Sequence, residues 1–254
     1  MKRYRAFAGA AALAPGDLVV LSPEESHHLC VVRRVRPGQE LEVFDQQGEV
    51  FLARLESVER KSAAVKIIAP LIAPPELPYR VHLFAALCKE GAWRLILEKS
   101  VELGVFDITP VWTRFSVPSW PRERDAERRL IRWQQIILNA VKQSRRIGIP
   151  QCRPLVPFTG AVEQGGRSSS PHLLLWEQAR DTRLSEVLNA CRREVERSGG
   201  LSVMVGPEGG FHPDEVEEAR HAGWTVCGLG PHILRAETAV MSALSVVHTV
   251  MGTF

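Results

Sequence analysis

The sequence predicts an α/β protein in which a small β-domain precedes a larger domain with a mostly parallel sheet. Short strand-like runs alternate with turns up to about residue 72, and from residue 79 onward strands alternate with long amphipathic stretches. The order β, α, β, α is typical of a parallel sheet covered by helices on both faces. Residues 73–78 are rich in proline, which can continue neither a helix nor a central strand, and are therefore predicted to be a linker.

The first domain, residues 1–72, is predicted to be a small β-barrel. Turns that contain glycine separate its strand-like runs, as expected for hairpins. These runs are Leu18–Leu21, Leu41–Phe44, Val50–Leu55 and Ala64–Ile68. After the first run, the segment Pro23–Arg34 carries acidic residues early and arginines late, which favours a short helix.

The second domain, residues 79–254, is predicted to alternate buried strands with helices. Its first strands are Val81–Leu87, Phe106–Trp112 and His172–Trp176. Its first helices are Gly91–Leu103, Arg122–Arg146 and Thr182–Arg197, which show apolar residues at helical spacing. The segment Gly165–Ser170 is predicted to be a loop.

The last third of the chain contains two similar units, Leu201–Phe211 and Cys227–Val240. Each is a short apolar run that breaks into a Gly/Pro loop before a helix begins. Loops that leave the carboxyl ends of neighbouring parallel strands line a common crevice, where glycines allow the backbone to approach a ligand closely. We therefore predict that the functional site lies between these two loops.

Composition and charge narrow the function classes. With 45% hydrophobic and 24% charged residues, the 254-residue chain has globular composition, which excludes a disordered or fibrous protein. The net charge is +3, and the basic residues form clusters such as Arg33–Arg36 and Arg122–Arg132. Such clusters suit a nucleic-acid backbone, although any single cluster is equally typical of a solvated helix face.

Cysteine usage and hydropathy predict a cytoplasmic protein without a metal site. The five cysteines are scattered, with no C-x-x-C pair and no histidine at zinc spacing, which indicates reduced, structural thiols. No stretch approaches the roughly 18 apolar residues of a membrane span, so no membrane association is expected.

The motifs Gly206–Phe211 and Leu229–Ala239 stand at a specific spacing and are accompanied by Lys89–Gly91, Glu98–Val105 and Gln143–Arg146. Together they resemble the ribosomal RNA small-subunit methyltransferase E family over nearly the whole chain. The resemblance implies a SPOUT-type C-terminal domain with a trefoil knot that binds S-adenosylmethionine, and a PUA-like N-terminal barrel that binds RNA. It further implies a homodimer that methylates N3 of a uridine in 16S ribosomal RNA of the small ribosomal subunit.

The chain departs from the family pattern at four positions. Family members usually carry arginine and threonine where this chain has His232 and Ala236, so a cation and an expected helix-capping hydroxyl are lost. They usually carry glutamate and glycine where this chain has Lys142 and Arg145. We expect backbone contacts to a cofactor to survive these changes.

The cofactor-binding residues that the resemblance implies are glycine-rich and apolar, which suits an adenine ring and backbone hydrogen bonds. Two tight turns that serve only packing are the structural alternative. The predicted set is Leu175, Trp176, Glu177, Val205, Gly206, Pro207, Glu208, Gly209, Gly210, Leu229, Gly230, Ile233, Leu234, Arg235 and Thr238.

Methylation of a uracil nitrogen needs a base for the N3 proton and a cation for the carbonyl oxygens that gain charge. Glu237 is the first candidate for the base and Glu208 the second, while the alternative role of Glu237 is to complement the positive end of a helix. Arg235 is the first candidate for the cation. Arg146, from the same or the other subunit, is the second, and an ion pair with a glutamate is the structural alternative.

The predicted RNA-binding residues lie mostly in the first domain. They are Arg3, Arg5, His27, His28, Arg34 and Lys89. For the two histidines, packing and helix capping are the alternative. Two rival functions stay open from the sequence: a non-catalytic RNA-binding protein of the same fold, and a methyltransferase that acts on another RNA.

Overall fold

The computed structural model describes residues 3–59, 62–72, 76–117, 119, 122–166 and 169–254. The chain divides into two compact units. The first comprises Met1–Glu76 with Val141–Ile149, and the second comprises Leu77–Ala140 with Pro150–Phe254. Of the predicted linker, residues 73–75 lie outside the described residues.

The first unit contains a five-stranded sheet in the order β1-β3-β4-β5-β2. Its strands are β1 (Arg5–Phe7), β2 (Leu18–Val20), β3 (Glu40–Phe44), β4 (Val50–Glu59) and β5 (Ser62–Pro70). The pair β1 and β3 is parallel, and the other neighbours are antiparallel. All four predicted strands are present, whereas β1 is too short for a period-two pattern to reveal it.

One face of this sheet carries the core of the first unit. Alternate residues of β3, β4 and β5 are buried, as expected for a sheet with one solvated face. The buried members of the cluster include Leu41, Val43, Ala53, Leu55, Val65 and Ile67. Leu29, from the segment between β2 and β3, joins the same cluster.

The predicted helix Pro23–Arg34 consists of a short α-helix followed by a π-helical turn. Helix α1 (Pro23–His27) begins with Pro23 and is capped by the Ser22 hydroxyl, which accepts a hydrogen bond from Glu25 N at 3.2 Å. A π-helical turn, His28–Val32, follows directly. The chain leaves this turn through Arg34, which adopts a left-handed conformation with φ of 56°.

The segment Val141–Ile149 belongs to the first unit, although the sequence prediction placed it in the second domain. Two ion pairs explain this placement. Lys142 Nζ lies 2.5 Å from Glu25 Oε1, with both side chains largely buried. Arg145 Nη1 donates to Glu42 Oε1 at 3.0 Å, and Arg145 Nη2 donates to the carbonyl of Arg3 at 2.7 Å. These are the two positions at which the family usually carries glutamate and glycine.

The second unit contains a seven-stranded sheet in the order β12-β10-β11-β6-β7-β8, with β9 paired to β7. Every pairing in this sheet is parallel, as predicted. Its strands are β6 (Arg80–Ala86), β7 (Asp107–Trp112), β8 (Gln151–Cys152), β9 (Val156–Pro157), β10 (His172–Leu175), β11 (Gly200–Val205) and β12 (Thr225–Cys227).

Helices connect these strands in the alternating order that the sequence indicates. They are α2 (Glu90–Glu102), α3 (Glu123–Ser144), α4 (Phe158–Gly166), α5 (Leu184–Ser198), α6 (Pro213–His221) and α7 (Ala236–Met251). The predicted loop Gly165–Ser170 is wrong at its start, because Gly165 and Gly166 lie in α4, and residues 167 and 168 of this loop lie outside the described residues. A Cβ atom on Gly165 would stand 2.2 Å from the Trp224 ring, so this helix position requires glycine for packing rather than for a turn.

The register of the sheet brings four strand ends to one edge. Val205 of β11 pairs with Ala85 of β6 on one side and with Leu175 of β10 on the other. Leu175 in turn pairs with Cys227 of β12. The loops that follow these strands therefore leave the sheet side by side, which is the arrangement that builds ligand crevices in open α/β sheets. Among the described residues, no helix is both long and apolar enough to cross a membrane.

Candidate functional site

A cleft lies at this edge of the sheet, between the loops that follow β10, β11 and β12. The first loop supplies an aromatic and an acidic side chain, the second supplies glycines and a proline, and the third leads into α7. The lining consists of Leu175, Trp176, Glu177, Val205, Gly206, Pro207, Gly210, Phe211, Leu229, Gly230, His232, Leu234, Ala236 and Ala239.

Most of the predicted cofactor-binding residues meet in this cleft. The exceptions, which lie beside it rather than in its lining, are Glu208, Gly209, Ile233, Arg235 and Thr238. Ile233 is 81% exposed. The sequence prediction omitted Phe211, His232, Ala236 and Ala239. The spacing of Ala236 and Ala239 offered a signal, because residues three apart share one face of a helix.

The glycine loop after β11 is shaped by its own packing. Gly210 has φ of 70°, and a Cβ atom there would stand 2.8 Å from Glu177 Oε1. A Cβ atom on Gly206 would stand 3.1 Å from the Phe211 ring. The loop therefore requires Gly210 for its conformation and is tightly packed at Gly206, and these constraints apply with or without a ligand.

Gly230, by contrast, leaves open space beside the cleft. It has φ of 133°, and a Cβ atom there would meet nothing within 4 Å. Gly230 is therefore required for its backbone conformation and not for packing, and the space at its Cβ position is open.

Two polar side chains in the lining have no hydrogen-bond partner among the residues that the structure describes. Trp176 Nε1 is buried and has no hydrogen-bond partner among the described residues. The Glu177 side chain is exposed, and its carboxylate has no hydrogen bond or ion pair within the described part of the chain. A buried indole N–H without a partner is costly, so this donor is a candidate hydrogen-bonding group for a polar ligand in the cleft.

Glu208 is held in place beside the cleft. Its Oε1 atom accepts a hydrogen bond from the backbone N–H of Lys89, the N-cap of α2, at 3.0 Å. The thiol of Cys88, the residue before Lys89, donates to the backbone carbonyl of Ala86 at 3.3 Å. Burial, followed by the charges of Glu208 and Glu237, raises the pKa of Cys88 well above its usual range, so this thiol stays protonated.

The predicted base and cation stand at the beginning of α7. Arg235 is the N-cap and has extended backbone angles, φ −63° and ψ 152°. Its side chain is exposed and forms no ion pair with any described residue, so the structural alternative of a pair with a glutamate finds no support. Glu237 lies half-buried in the first turn of α7, at the positive end of the helix dipole.

The expected loss of a capping hydroxyl at residue 236 does not occur. The N-cap of α7 is Arg235, and Ala236 is the first residue inside the helix. Ala236 is buried, at 4% exposure, and lines the cleft. A hydroxyl on residue 236 would therefore not occupy the N-cap position, from which a side chain caps the helix.

Arg146, the second candidate for the cation, belongs to the first unit. Its side chain is half-buried, and burial lowers its pKa to about 10, partly offset by the charge of Glu76. The cleft lies in the second unit. Of the two predicted cations, Arg235 belongs to this unit, and it lies close to the glycine loops in sequence.

The predicted RNA-binding residues of the first unit differ in their environment. Arg3 pairs with Glu40 at 3.2 Å, and both side chains are exposed. Arg5 stacks its guanidinium 4.8 Å above the Phe44 ring, and its Nε and Nη2 atoms are buried without a hydrogen-bond partner in the described residues. Burial lowers the pKa of Arg5.

His27 and His28 are exposed at the junction of α1 and the π-helical turn. His28 Nε2 accepts a hydrogen bond from Arg33 Nε at 3.3 Å. Partial burial, and then the charges of Lys142 and Arg33, lower the pKa of His28, so its ring is neutral at physiological pH. Arg34 is exposed beside this pair, whereas Lys89 lies in the second unit at the start of α2.

Similarity to known proteins is extensive. The family described as RNA methyltransferase domain matches residues 75–248, and the family described as RNA methyltransferase PUA domain matches residues 21–68. The ribosomal RNA small subunit methyltransferase E of Neisseria gonorrhoeae, whose crystal structure contains S-adenosylmethionine, is 31% identical. Its structure aligns with a TM-score of 0.86 and covers 98% of each chain.

The chain belongs to the ribosomal RNA small subunit methyltransferase E family. A methyltransferase from Legionella pneumophila, solved in complex with S-adenosylmethionine, is 28% identical over 98% of each chain, with a TM-score of 0.84. The family members of Mycobacterium bovis and Bacillus subtilis are 29% and 28% identical, covering 91% and 89% of this chain and 86% and 88% of theirs.

The family assignment agrees with the predicted fold class, an α/β protein with a mostly parallel C-terminal sheet and an N-terminal PUA domain. No group of three or more histidine, cysteine, aspartate or glutamate residues that could hold a metal ion occurs in the part of the chain that the structure describes.

Proposed function

We propose that this protein transfers a methyl group from S-adenosylmethionine to N3 of a uridine in 16S ribosomal RNA of the small subunit. The single observation that carries the proposal is the cleft at the carboxyl ends of β10, β11 and β12, in a chain that aligns end to end with a relative bound to S-adenosylmethionine. Methylation of small-subunit ribosomal RNA rests on the names of the relatives. The choice of uridine N3 rests on the family resemblance of the motifs.

The residues of the cleft fit the cofactor. Leu175, Leu229 and Leu234 offer apolar surface for an adenine ring, and the backbone at Gly230 offers hydrogen bonds to its edge. The unpartnered Trp176 Nε1 and the exposed Glu177 carboxylate offer a donor and an acceptor for the polar groups of the cofactor. When bound there, S-adenosylmethionine supplies an electrophilic methyl group.

The beginning of α7 supplies the acid–base chemistry of the proposal. The N3–H of uracil is a weak acid, so the nitrogen becomes nucleophilic only as its proton leaves. We assign this proton to a carboxylate oxygen of Glu237, which has no hydrogen bond among the described residues and is therefore available. The Arg235 guanidinium, equally without a partner there, donates hydrogen bonds to a uracil carbonyl oxygen as negative charge develops on it.

We assign the binding of the RNA to the first unit. Its exposed cations include Arg33 and Arg34, and the Arg33 guanidinium lies 5.9 Å from the centroid of the Tyr4 ring. Cations bind phosphates without reading sequence, and an aromatic ring stacks on unpaired bases. In this proposal, the first unit binds phosphates and unpaired bases, and the second unit positions the acceptor uridine.

We further propose that the protein is a cytoplasmic homodimer and that its C-terminal segment forms the trefoil knot of the SPOUT class. The position of α7, which follows the third loop of the cleft and packs against α2 and α5, is compatible with a threaded end. Sedimentation of the purified protein is expected to give twice the chain mass of 28.3 kDa. A monomer at micromolar concentration would contradict the homodimer.

Two experiments test the function. Calorimetric titration with S-adenosylmethionine should give saturable binding, and no measurable binding at millimolar cofactor would favour the rival, a non-catalytic RNA-binding protein. Modified nucleotides in the RNA of cells that lack the protein should then be mapped against cells in which it is restored. We expect one methyl group on a uridine of 16S ribosomal RNA to depend on the protein, whereas a dependent methyl group on another RNA would replace the proposed substrate.

A further inference from the structure

The second unit contains another cavity, between α2 and α3, that the function described above does not use. Its volume is about 280 Å³, close to the roughly 300 Å³ at which small-molecule pockets begin. Its lining includes Leu87, Cys88, Trp93, Arg129, Arg132 and Trp133. We call it the tryptophan cavity.

Two indole rings form the apolar part of the tryptophan cavity. Trp93 of α2 and Trp133 of α3 lie with ring centroids 5.2 Å apart and planes inclined at 60°. Both side chains are nearly buried, at 4% and 8% exposure. Trp93 Nε1 has no hydrogen-bond partner among the described residues, which leaves a buried donor that a ligand could satisfy.

Arginines form the polar part of the cavity, and they differ in whether their guanidinium groups form ion pairs or hydrogen bonds. Arg94 donates to Glu98 Oε1 at 2.8 Å, and Arg132 pairs with Glu90 at the entrance. Arg129 makes no hydrogen bond or ion pair with any residue that the structure describes, although its side chain lines the cavity. Among the described lining residues, three arginines therefore accompany one glutamate, Glu90, and the Arg129 guanidinium is available to bind an anion.

Glu208 links the tryptophan cavity to the cofactor cleft. Cys88 and Glu90 line the tryptophan cavity, and the backbone N–H of Lys89, which lies between them in the chain, donates a hydrogen bond to Glu208 Oε1 at 3.0 Å. Glu208 follows Pro207, which lines the cleft. A residue beside the cavity and a residue beside the cleft are therefore joined by one hydrogen bond.

We propose that the tryptophan cavity binds one unpaired nucleotide of the RNA substrate, with its base against Trp93 and Trp133 and its phosphate on Arg129. The proposal rests on the proposed function, because it treats the ligand as part of the RNA that is methylated. Indole rings stack on any base, and guanidinium groups bind phosphate oxygens in pairs, so the two surfaces together match a nucleotide. A site that binds phosphate alone does not require the apolar surface of two indole rings. Because the hydrogen bond from Lys89 to Glu208 joins residues beside the two sites, we infer that this nucleotide neighbours the base that accepts the methyl group.

The test uses the full-length protein and three probes that separate the parts of a nucleotide: uridine monophosphate, uridine and inorganic phosphate. Binding is followed by tryptophan fluorescence, to which Trp93 and Trp133 contribute together with the other four tryptophans of the chain, and by competition with a single-stranded RNA of about six nucleotides. The variants are Trp133→Leu, which keeps an apolar side chain, and Arg129→Ala. Arg124→Ala is the matched control, because Arg124 is exposed on the same helix and does not line the cavity.

We expect uridine monophosphate to bind more tightly than uridine or phosphate. Trp133→Leu should weaken uridine monophosphate and uridine about tenfold and leave phosphate unchanged, since stacking is lost. Arg129→Ala should weaken uridine monophosphate and phosphate about tenfold and leave uridine unchanged, since a charge-assisted hydrogen bond is lost. Arg124→Ala should change none of the three by more than about twofold.

Equal binding of uridine monophosphate to the wild type, Trp133→Leu and Arg129→Ala would overturn the proposal, and so would phosphate binding as tight as that of the nucleotide. Calorimetry with S-adenosylmethionine on the same variants separates this result from a failure of the proposed function. Cofactor binding that is intact while nucleotide binding is insensitive to both variants refutes the tryptophan cavity alone. Absence of cofactor binding in the wild type refutes the proposed function, whereas the nucleotide titration still decides the cavity.

Discussion

Glu237 combines the properties required of a proton acceptor: a half-buried carboxylate, no hydrogen-bond partner among the described residues, and a position in the first turn of α7 beside the cleft. Glu237→Gln removes the basic oxygen while preserving shape, so we expect turnover to fall by about 10² to 10⁴. Cofactor affinity should stay within about twofold, because the backbone of the glycine loops is untouched. Single-turnover methylation of RNA measures the first quantity and calorimetry the second.

Glu208→Gln is the matched control for this prediction. A glutamine keeps an oxygen that can accept the hydrogen bond from Lys89 N, so the structure at the start of α2 should persist. If Glu237 is the base, Glu208→Gln reduces turnover far less than Glu237→Gln does. A Glu237→Gln enzyme with near-normal turnover would remove Glu237 from the mechanism, and a larger loss in Glu208→Gln would transfer the role.

Arg145 has two opposing effects on the stability of the folded protein. Its φ of 60° is unfavourable for any residue with a Cβ atom, yet its guanidinium binds Glu42 and the carbonyl of Arg3. We expect Arg145→Ala to lose the bonds and keep the strain, whereas Arg145→Gly loses the bonds and relieves the strain. The alanine variant should therefore be less stable than the glycine variant by about 1 kcal/mol in urea unfolding. The reverse order would contradict the presence of strain at this position.

At the level of elements, the start of α6 is connected to the loop after β7 by one buried carboxylate. Glu215 accepts hydrogen bonds from the backbone N–H groups of His212 and Arg114, both at 2.9 Å. Glu215→Ala leaves two donors without their partner and should lower the free energy of unfolding by about 2 kcal/mol or more. Urea denaturation measures this loss. Glu217→Ala, exposed on the same helix, should change it by less than about 0.5 kcal/mol, and equal losses in both variants would refute the role of Glu215.

The edge of the parallel sheet opposite the cleft contains a titratable cluster. Burial alone would raise the pKa of Asp107, but hydrogen bonds and charges from His82 and Arg153 outweigh it, so its pKa lies below the ordinary 3.8. The unfolded chain therefore binds this proton more readily than the folded protein does. The ionised carboxylate stabilises β6 and β7 fully above the unfolded pKa, and this contribution is lost as the pH falls through the folded pKa.

We accordingly expect the protein to lose stability below about pH 4, and Asp107→Asn to weaken the dependence of unfolding free energy on pH in that range. At neutral pH the variant should be less stable by about 2 kcal/mol, because its amide replaces a charged acceptor of two hydrogen-bonding partners. Thermal unfolding between pH 3 and 7 measures both effects. A variant that keeps the wild-type slope below pH 4 would show that other carboxylates govern acid unfolding.

Elements with a strong sequence pattern were predictable, and those defined by long-range contacts were not. The predicted strands and helices with apolar periodicity or Gly/Pro boundaries are all present, because burial of one face determines them. Strands β1, β8 and β9 are two or three residues long and exist only through pairing with β3 or β7. The change from α1 to a π-helical turn has no local signature, because it follows from burying Leu29 in the core.

The same distinction applies to the cleft. Its backbone was predictable because Gly206, Gly210 and Gly230 mark turns that few other residues allow. The contribution of Phe211 was not, since it depends on the approach of its ring to Gly206 after folding. The position of Arg146 in the first unit follows from the ion pairs at the end of α3, which no sequence spacing reveals.

For the molecule as a whole, the clustered positive charge of the first unit should appear as salt-dependent RNA binding. Each phosphate contact to single-stranded RNA adds about 0.7 to the slope of log K against log salt concentration. Arg34→Gly removes an exposed cation without straining the left-handed backbone, so the slope should become shallower by about that amount. Filter binding of 16S RNA fragments over a salt series measures it.

Cofactor affinity should be unaffected by Arg34→Gly, because the cleft belongs to the other unit. Arg197→Ala, on α5 of the second unit, serves as the control and should keep the wild-type slope. A slope that is equally reduced in both variants would indicate that non-specific charge, rather than the first unit, governs RNA binding.

The hydrogen bond from Lys89 to Glu208 also bears on inhibition. Because it joins residues beside the tryptophan cavity and the cofactor cleft, we expect that one molecule with two short arms can occupy both sites. Tethering turns the second binding event into an intramolecular one, with an effective concentration in the millimolar range for a short linker. An adenosine fragment joined to a uridine monophosphate fragment is therefore expected to bind more tightly than either fragment, and selectively over enzymes that have the cleft but lack the two indole rings.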